Sequence, residues 1–314
     1  MKALILSAGQ GRRLLPLTAD APKCTVLVQG RPLIEWQLSA LAEGGIDEVV
    51  AVVGFRRERV EAVLAARPEP PRVRVLDNPL YGVADNLVSC WMARDEMDED
   101  FLLLNGDTLF EVDVLRRLLA APLRPVTLAI DAKPAYDADD MKVTLDGERV
   151  DGIGKHLAPG AAHGESIGML LFRGPGPALF RRGLERAVQA PEGARQWYLS
   201  VIDTLAATGV VWSASIGGLG WAEVDCPADL EDAERLVATW DATVSASRAK
   251  RPAYGRHHLR ASEASASSHT RRQSSTESTS TAAWGNGSTM ASMPSPSRLD
   301  TLPSASSSES RPSE

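Results

Sequence analysis

Residues 3–23 read ALILSAGQGRRLLPLTADAPK. The run Ala3–Leu6 has the length and apolar composition of a buried strand, and it leads directly into a turn that contains Gly9 and Gly11. Because glycine has no Cβ, the backbone N–H groups of such a turn can approach an anion closely. The stretch therefore predicts a phosphate-binding turn at the start of an α/β fold, with a nucleoside triphosphate as the expected ligand.

Three known motifs could explain this turn, and their spacing separates them. A dinucleotide-binding fingerprint requires a third glycine at the position of Leu14, and a P-loop requires a G-K-[ST] ending that is absent here. The third motif is a strand followed by A-G-x-G-x-R-L and a Pro-Lys pair, which Arg13 and Pro22–Lys23 complete. It resembles the N-terminal signature of the sugar-phosphate-type nucleotidyltransferases.

The composition indicates a soluble globular enzyme. A net charge of −7, without a basic stripe over the first 240 residues, argues against nucleic-acid binding. No apolar run approaches the roughly 18 residues of a membrane span, so no membrane partner is expected. Three isolated cysteines (Cys24, Cys90 and Cys226) form no C-x-x-C pair, which fits a cytoplasmic location and offers no zinc site. The sequence leaves the oligomeric state open, with a homodimer among the alternatives.

Short apolar runs alternate with helix-period segments from Met1 to about Trp240. This alternation predicts a three-layer αβα, Rossmann-like fold around a largely parallel mixed sheet. The predicted strands are Ala3–Leu6, Glu48–Val53, Arg72–Leu76, Phe101–Leu104, Val126–Ile130, Lys142–Leu145, Met169–Phe172 and Val210–Ser213. The predicted helices are Leu33–Glu43, Arg57–Ala66, Asn86–Ala93, Asp113–Ala120, Gly176–Ala190, Leu199–Thr208 and Pro227–Ala242.

The composition changes to Ser, Thr, Pro, Arg and Ala beyond about residue 245. Such a segment cannot bury enough apolar surface to offset the entropy of ordering it. We therefore expect a catalytic domain over residues 1–244 and a disordered tail over residues 245–314.

Carboxylates follow two of the extended segments. Asp107 comes directly after the buried run Phe101–Leu104 and the pair Asn105–Gly106, at the carboxyl end of a strand, where open α/β sheets bind ligands. Alternation along the extended segment that begins at Trp221 places Glu223 and Asp225 on one side. Oxygen ligands of this kind suit a hard cation, so the three acidic residues predict a Mg²⁺ site.

Five further blocks, in order, resemble the phosphocholine and phosphonate cytidylyltransferase branch of that superfamily. They are Asn86–Arg94, Asp139–Val143, Gly152–Leu157, Gly164–Gly168 and Trp221–Asp225. The resemblance implies Mg²⁺-dependent transfer of CMP from CTP to a small phosphonate or phosphocholine-like phosphate ester, with release of pyrophosphate.

The resemblance also implies roles for individual residues. Nucleotide contacts are expected from Ser7, Ala8, Gly9, Gly11, Asn86 and Ser89. Arg13, Lys23 and Lys155 are expected to neutralise charge during the transfer, and the acceptor is expected to contact Tyr136, Lys142, Arg195, Trp197 and Trp221. From the residues alone, Lys142 and Lys155 could equally be ordinary exposed lysines, and Asn86 and Ser89 could be helix-start residues.

The acceptor is the least specified part of this prediction. Four aromatic side chains could form a cage for a quaternary ammonium group: Tyr136, Trp197, Tyr198 and Trp221. However, no acidic residue follows the Trp197–Tyr198 pair, which shifts the expectation toward an anionic or neutral phosphonate. Two alternatives stay open: a hexose-1-phosphate nucleotidyltransferase that uses UTP or dTTP, and a catalytically silent nucleotide-binding regulatory subunit.

Overall fold

The computed structural model describes residues 1–67 and 70–250, and a mixed sheet forms the centre of that part of the chain. In chain order the strands are β1 Lys2–Ser7, β2 Leu27–Val28, β3 Arg31–Pro32, β4 Glu48–Val53, β5 Arg72–Asp77, β6 Phe101–Asn105, β7 Thr108–Phe110, β8 Val126–Asp131, β9 Lys142–Asp146, β10 Arg149–Ile153, β11 Gly164–Phe172, β12 Val211–Ser215 and β13 Trp221–Glu223. The large sheet has the order β5-β4-β1-β6-β11-β8-β12-β10-β9, and β9 also pairs with β11.

The N-terminal half of this sheet is parallel. Strands β5, β4, β1 and β6 are all parallel neighbours, and β1 is in register with β6 from Lys2↔Phe101 to Leu6↔Asn105. Because parallel strands end at the same edge of a sheet, the glycine turn after β1 lies next to Asp107 after β6. The sheet therefore brings together two motifs that lie about a hundred residues apart in the chain.

The C-terminal half is mostly antiparallel. Strand β11 is antiparallel to β6 and to β8, and β12 returns parallel to β8. The prediction of Met169–Phe172 captured only the end of β11, because the strand is interrupted by a bulge around Gly168, whose φ of +73° favours glycine. Strand β10 was also missed, since its residues form a hairpin with β9 that lacks a strong apolar run.

Helices cover both faces of the sheet, which confirms the predicted three-layer αβα fold. They are α1 Leu33–Glu43, α2 Arg57–Ala65, α3 Asn86–Met92, α4 Val112–Ala120, α5 Gly176–Val188, α6 Leu199–Ala206 and α7 Pro227–Lys250. Alternate residues of β1 enter opposite cores: Leu4 packs in the core that includes α3, α5 and α6, whereas Ile5 packs in the core that includes α1, α2 and α4. Nothing in the described helices combines the length and apolarity that a membrane span requires.

Helix α7 is longer than the sequence pattern indicated. It begins at Pro227 as predicted but continues to Lys250, past the predicted end at Ala242 and past the expected domain boundary at residue 244. The remainder of the predicted tail lies outside the described residues. The first part of α7 supports a third, smaller apolar cluster, in which Ala233 and Val237 pack with Leu109 of β7 and Val224.

Gly106 is required where β6 turns toward β7. A Cβ at this position would lie 2.4 Å from Ser7 Oγ and 2.5 Å from the Leu6 carbonyl oxygen, and backbone cannot move aside cheaply. We expect Gly106→Ala to lower the free energy of unfolding by about 2 kcal/mol and the melting temperature by at least about 4 °C. Thermal denaturation followed by circular dichroism measures the change.

The control for this experiment is Gly160→Ala, because a Cβ at Gly160 would meet nothing within 4 Å. Equal melting temperatures for the two variants would contradict the close packing of Gly106 against β1.

Candidate active site

The glycine turn after β1 is organised around Lys23. Thr18 Oγ1 donates a hydrogen bond to the Gly11 carbonyl oxygen at 2.8 Å, which holds the loop closed. Gly11 has a φ of +74°, and a Cβ there would lie 2.9 Å from Lys23 Cβ, so the aliphatic stem of Lys23 packs directly on the glycine. At Gly9 an added Cβ would meet nothing within 4 Å, so the backbone faces open space where an anion can approach.

The three predicted metal ligands converge at the same edge. Strand β13 pairs with β7 so that Glu223 lies opposite Thr108, and the Val224 N–H donates to the Asp107 carbonyl oxygen at 3.1 Å. Val224 is buried in the third apolar cluster, which turns its neighbours Glu223 and Asp225 to the opposite side. One carboxylate oxygen each from Asp107, Glu223 and Asp225 therefore lies within 4.8 Å of the other two.

Two basic side chains neutralise this carboxylate cluster. Lys23 Nζ donates to Asp107 Oδ2 at 2.7 Å and also to Asp225, and Arg13 forms an ion pair with Asp225. Burial disfavours the charged form of Lys23, but the two carboxylates outweigh it and raise its pKa. Likewise, burial opposes ionisation of Asp225, but Lys23 and Arg13 hold its pKa below the usual range.

The Glu223 carboxyl lacks such a partner. Loss of solvation raises its pKa, and repulsion from the Asp107 and Asp225 charges raises it further. The Glu223 side chain is exposed, so the charge repulsion is the cause that we regard as dominant. A cation that shares these carboxylates would remove the repulsion.

The donor set fits a divalent metal ion. Oδ1 of Asp107 is buried and has no hydrogen-bond partner among the described residues, although its other oxygen binds Lys23. An unpaired carboxylate oxygen next to two further carboxylates is the arrangement that a hard cation such as Mg²⁺ satisfies. Asp107, Asp225 and Glu223 would hold the ion.

Two clefts meet at this edge of the sheet. The first, which we call the turn cleft, has a volume of about 250 Å³ and extends from the glycine turn to the start of α3. Among the residues that line it are the predicted Ser7, Ala8, Gly9, Lys23, Asn86, Ser89, Asp107 and Trp197. Gly11 lies behind Lys23 and does not line this cleft.

The second cleft, which we call the acidic cleft, has a volume of about 560 Å³ and shares Asp107, Asn86 and Trp197 with the first. It contains the metal-ligand candidates and a further group of acidic residues, namely Asp137, Asp139, Asp140 and Glu165. Its basic side chains are Arg13, Lys133 and Lys155, and its aromatic walls are Trp197 and Trp221. The sequence did not indicate that Glu165 shares one cavity with the acidic stretch 137–140, since the two lie in separate segments.

Residues 3–200 match the family model of the MobA-like NTP transferase domain, which covers the glycine turn, Lys23 and Asp107. The chain belongs to this family. Asp225 and Glu223 follow the matched segment and reach the site through the β7–β13 pairing.

Individual relatives of this NTP transferase lie in the cytidylyltransferase branch. It is 34% identical over 243 residues to the CMP-5'-(3-aminopropyl)phosphonate synthase of Streptomyces rubellomurinus, which covers 74% of this chain but 38% of that protein. It is 33% identical over 245 residues to the bifunctional IPC transferase and DIPP synthase of Rubrobacter xylanophilus, covering 77% and 53%. The chain thus spans about half or less of the length of these relatives.

Among solved structures, the CTP:phosphocholine cytidylyltransferase of Streptococcus pneumoniae has the same fold. The two superpose with a TM-score of 0.62 at 22% sequence identity, covering 75% of this chain and 98% of that one. This agreement confirms the predicted Rossmann-like nucleotidyltransferase architecture.

Three residues expected to contact the acceptor lie elsewhere in this NTP transferase. Lys142 is 1% exposed, and its Nζ donates to the carbonyl oxygens of Asp137 and Asp140, so it supports the acidic loop from beneath. Tyr136 Oη accepts a hydrogen bond from the Lys133 N–H, and Arg195 is exposed on a neighbouring depression. Lys142, which an apolar-patterned strand carries inward, lines neither cleft, and the same holds for Tyr136 and Arg195.

The remaining predicted acceptor residues, Trp197 and Trp221, line the acidic cleft, and so does Lys155. Lys155 Nζ lies 4.8 Å from the centroid of the Trp197 ring and 3.5 Å from Asp139. Trp221 Nε1 donates to Asp131 Oδ2 at 2.9 Å, which fixes the indole against the end of β8.

The structure gives Tyr198 a different place from the aromatic cage considered above. Tyr198 is fully buried, so its ring offers no face to a ligand, and its hydroxyl donates to Asn105 Oδ1 at 3.1 Å, two residues before Asp107. The sequence did not indicate this contact. A Cβ at Gly168 would lie 2.5 Å from Asn105 Nδ2, so the bulge in β11 makes room for this amide. The pair Asn105–Gly106 was visible in the sequence, but its contact partners were not.

Metal binding can be tested directly with Mn²⁺ as a spectroscopic probe. Asp107→Asn and Asp225→Asn each remove one charged ligand, and we expect each to weaken Mn²⁺ binding at least about tenfold, because repositioning a ligand already costs about 10–100-fold. Electron paramagnetic resonance of free Mn²⁺ measures the affinity. Asp95→Asn serves as the control, since Asp95 is exposed and outside both clefts. Unchanged Mn²⁺ affinity in both site variants would refute the metal assignment.

Proposed function

We propose that this NTP transferase is a cytidylyltransferase that moves CMP from CTP to a small phosphonate or phosphate ester and releases pyrophosphate. The observation that carries the proposal is the arrangement at one sheet edge: a glycine turn and Lys23 stand beside three carboxylates, and a second cleft opens on the other side of those carboxylates. The names of the relatives, which include a CMP-phosphonate synthase and a CTP:phosphocholine enzyme, support CTP as the donor.

The chemistry needs positioning and charge neutralisation more than covalent catalysis. An oxygen of the acceptor attacks the α-phosphorus of CTP, a new P–O bond forms, and the bond to pyrophosphate breaks in line with the attack. The open backbone at Gly9 and the ammonium group of Lys23 hold the triphosphate. Arg13 and Lys155 line the acidic cleft, where they orient the acceptor oxygens toward the α-phosphorus. A divalent ion on Asp107 and Asp225 would offset the charge of the phosphates.

The lining of the acidic cleft favours an acceptor that carries a positive charge besides its phosphonate or phosphate. Lys133 Nζ lies 2.8 Å from Asp140 Oδ1 and 2.8 Å from Glu165 Oε2, so two carboxylates share one ammonium group. The exposed ring of Trp197 stands in the same cleft and offers a face to a further cation. These features favour a positively charged acceptor, whereas the sequence favoured an anionic or neutral one.

The experiment that tests the donor is a matrix of triphosphates and acceptors. Pyrophosphate release is measured with CTP, UTP and dTTP, each against 3-aminopropylphosphonate, phosphocholine, inositol-1-phosphate and glucose-1-phosphate. We expect turnover with CTP and an aminoalkylphosphonate or phosphocholine. Preferred turnover of UTP or dTTP with glucose-1-phosphate would replace the proposal by the hexose-1-phosphate alternative, and CTP binding without pyrophosphate release from any pair would favour a regulatory subunit.

The positive charge of the acceptor is tested through Glu165, which is 8% exposed and lies in the acidic cleft. We expect Glu165→Gln to raise KM for 3-aminopropylphosphonate by about tenfold, because a buried carboxylate that faces a cation contributes about 1.5–3 kcal/mol. For propylphosphonate, which lacks the amino group, KM should stay within a factor of two or so.

The matched control is Glu185→Gln on the exposed side of α5. An equal rise in KM for both acceptors would show that Glu165 only supports the loop around Lys133 and does not select the charge.

A further inference from the structure

The turn cleft has two chemically different ends. One end is formed by the glycine turn, Lys23 and Asp107, which provide cations, backbone donors and a metal ligand suited to phosphates. The other end lies where α3 begins and is lined by Tyr81, Ala84 and Asp85. On the proposed function, the triphosphate takes the first end, so the ribose and base extend toward the second.

The second end provides a surface for a planar ring. Tyr81 is 40% exposed and lines the cleft, and its ring is held edge-on against Phe55 at a centroid distance of 6.1 Å. A Cβ at Gly54 would lie 2.6 Å from Tyr81 Cβ, so the tyrosine packs closely on the backbone that precedes α2. An aromatic ring that is fixed in this way is suited to stacking against a nucleobase.

Two polar side chains at this end are already committed to internal hydrogen bonds. Asn86 Oδ1 accepts from the Tyr198 N–H at 3.0 Å, and Ser89 Oγ accepts from Asn78 Nδ2 at 2.9 Å. Both residues were predicted to read the nucleotide, and both still line the cleft, but their acceptor oxygens are occupied. Each oxygen therefore has one of its two lone pairs occupied, which leaves less acceptor capacity for a ligand at these two residues.

Asp85 is different from these neighbours. Its N–H donates to the Ala194 carbonyl oxygen at 2.8 Å and its carbonyl oxygen accepts from the Val88 N–H at 3.1 Å, so its backbone is fixed on both sides. It occupies the N-cap position of α3, yet its side chain makes no capping hydrogen bond. No cation pairs with it in the part of the chain that the structure describes. A carboxylate in a nucleotide cleft, without a cation or a capping role, is suited to accept hydrogen bonds from a ligand.

We propose that the Asp85 carboxylate selects cytosine over uracil by accepting a hydrogen bond from the 4-amino group of the base. This inference rests on the proposed use of CTP. Cytosine and uracil differ at this position, where cytosine presents an N–H donor and uracil presents a carbonyl oxygen. A carboxylate attracts the first and repels the second, so at the exposed Asp85 side chain the selectivity comes from this difference in attraction.

The test compares Asp85→Asn with the wild-type chain in kcat/KM for CTP and UTP at a fixed acceptor. Asparagine can donate to the uracil carbonyl, so we expect the CTP-to-UTP ratio to fall at least about tenfold, with part of the change arising from faster use of UTP. The ratio of CTP to 2'-deoxy-CTP should stay constant. Asp85→Ser, which keeps a good N-cap residue, gives a second variant should the amide disturb α3. Asp95→Asn is the exposed control.

The outcomes separate the two levels of the proposal. A wild-type chain that prefers UTP, or releases no pyrophosphate, contradicts the proposed function itself. A wild-type preference for CTP that survives in both Asp85 variants overturns only the assignment of Asp85. A loss of discrimination between CTP and 2'-deoxy-CTP, with the base preference intact, also overturns it, because the carboxylate would then bind the ribose.

Discussion

The interaction on which the site depends is the contact of Lys23 with two carboxylates from distant parts of the chain. Asp107 and Asp225 carry like charges and lie close together, an arrangement that is unfavourable unless a cation stands between them. Lys23 supplies that cation, and its stem can reach the carboxylates because Gly11 has no side chain to displace it. The glycine turn thus has two roles. It exposes backbone N–H donors to a phosphate, and it leaves room for the Lys23 side chain to reach the carboxylates.

The parts of the fold that could be predicted from the sequence are those set by local patterns. Strand β4 and helix α1 have the predicted bounds, because an unbroken apolar run and a clear helical period leave little choice. The proximity of the glycine turn and Asp107 was also predictable, since parallel strands end at one edge of a sheet. The alternation of side chains along an extended segment placed Glu223 and Asp225 on one side, as the structure confirms.

The parts that could not be predicted depend on contacts between distant segments. Lys142 looked like a cleft residue in the sequence, and only the packing of β9 shows that its ammonium group ends beneath a loop. Glu165 lies on β11 and Lys133 follows β8 by two residues, and the pairing of these strands, Glu165↔Asp131, is antiparallel and interrupted by a bulge. No local sequence pattern predicts this bulge, because it depends on the close contact between Gly168 and the distant Asn105 side chain. The roles proposed for the cleft residues stay predictions until the binding and kinetic measurements are made.

The pairing of β7 with β13 determines when the carboxylate cluster can form during synthesis of the chain. Asp107 is followed at once by β7, but its partner strand is made more than a hundred residues later in synthesis, and Asp225 comes after it. During translation the emerging polypeptide can complete β1 and β6, and with them the glycine turn, while the ribosome has not yet added the second carboxylate. The charge cluster around Lys23 therefore forms late, because it is complete only after β13 has paired with β7.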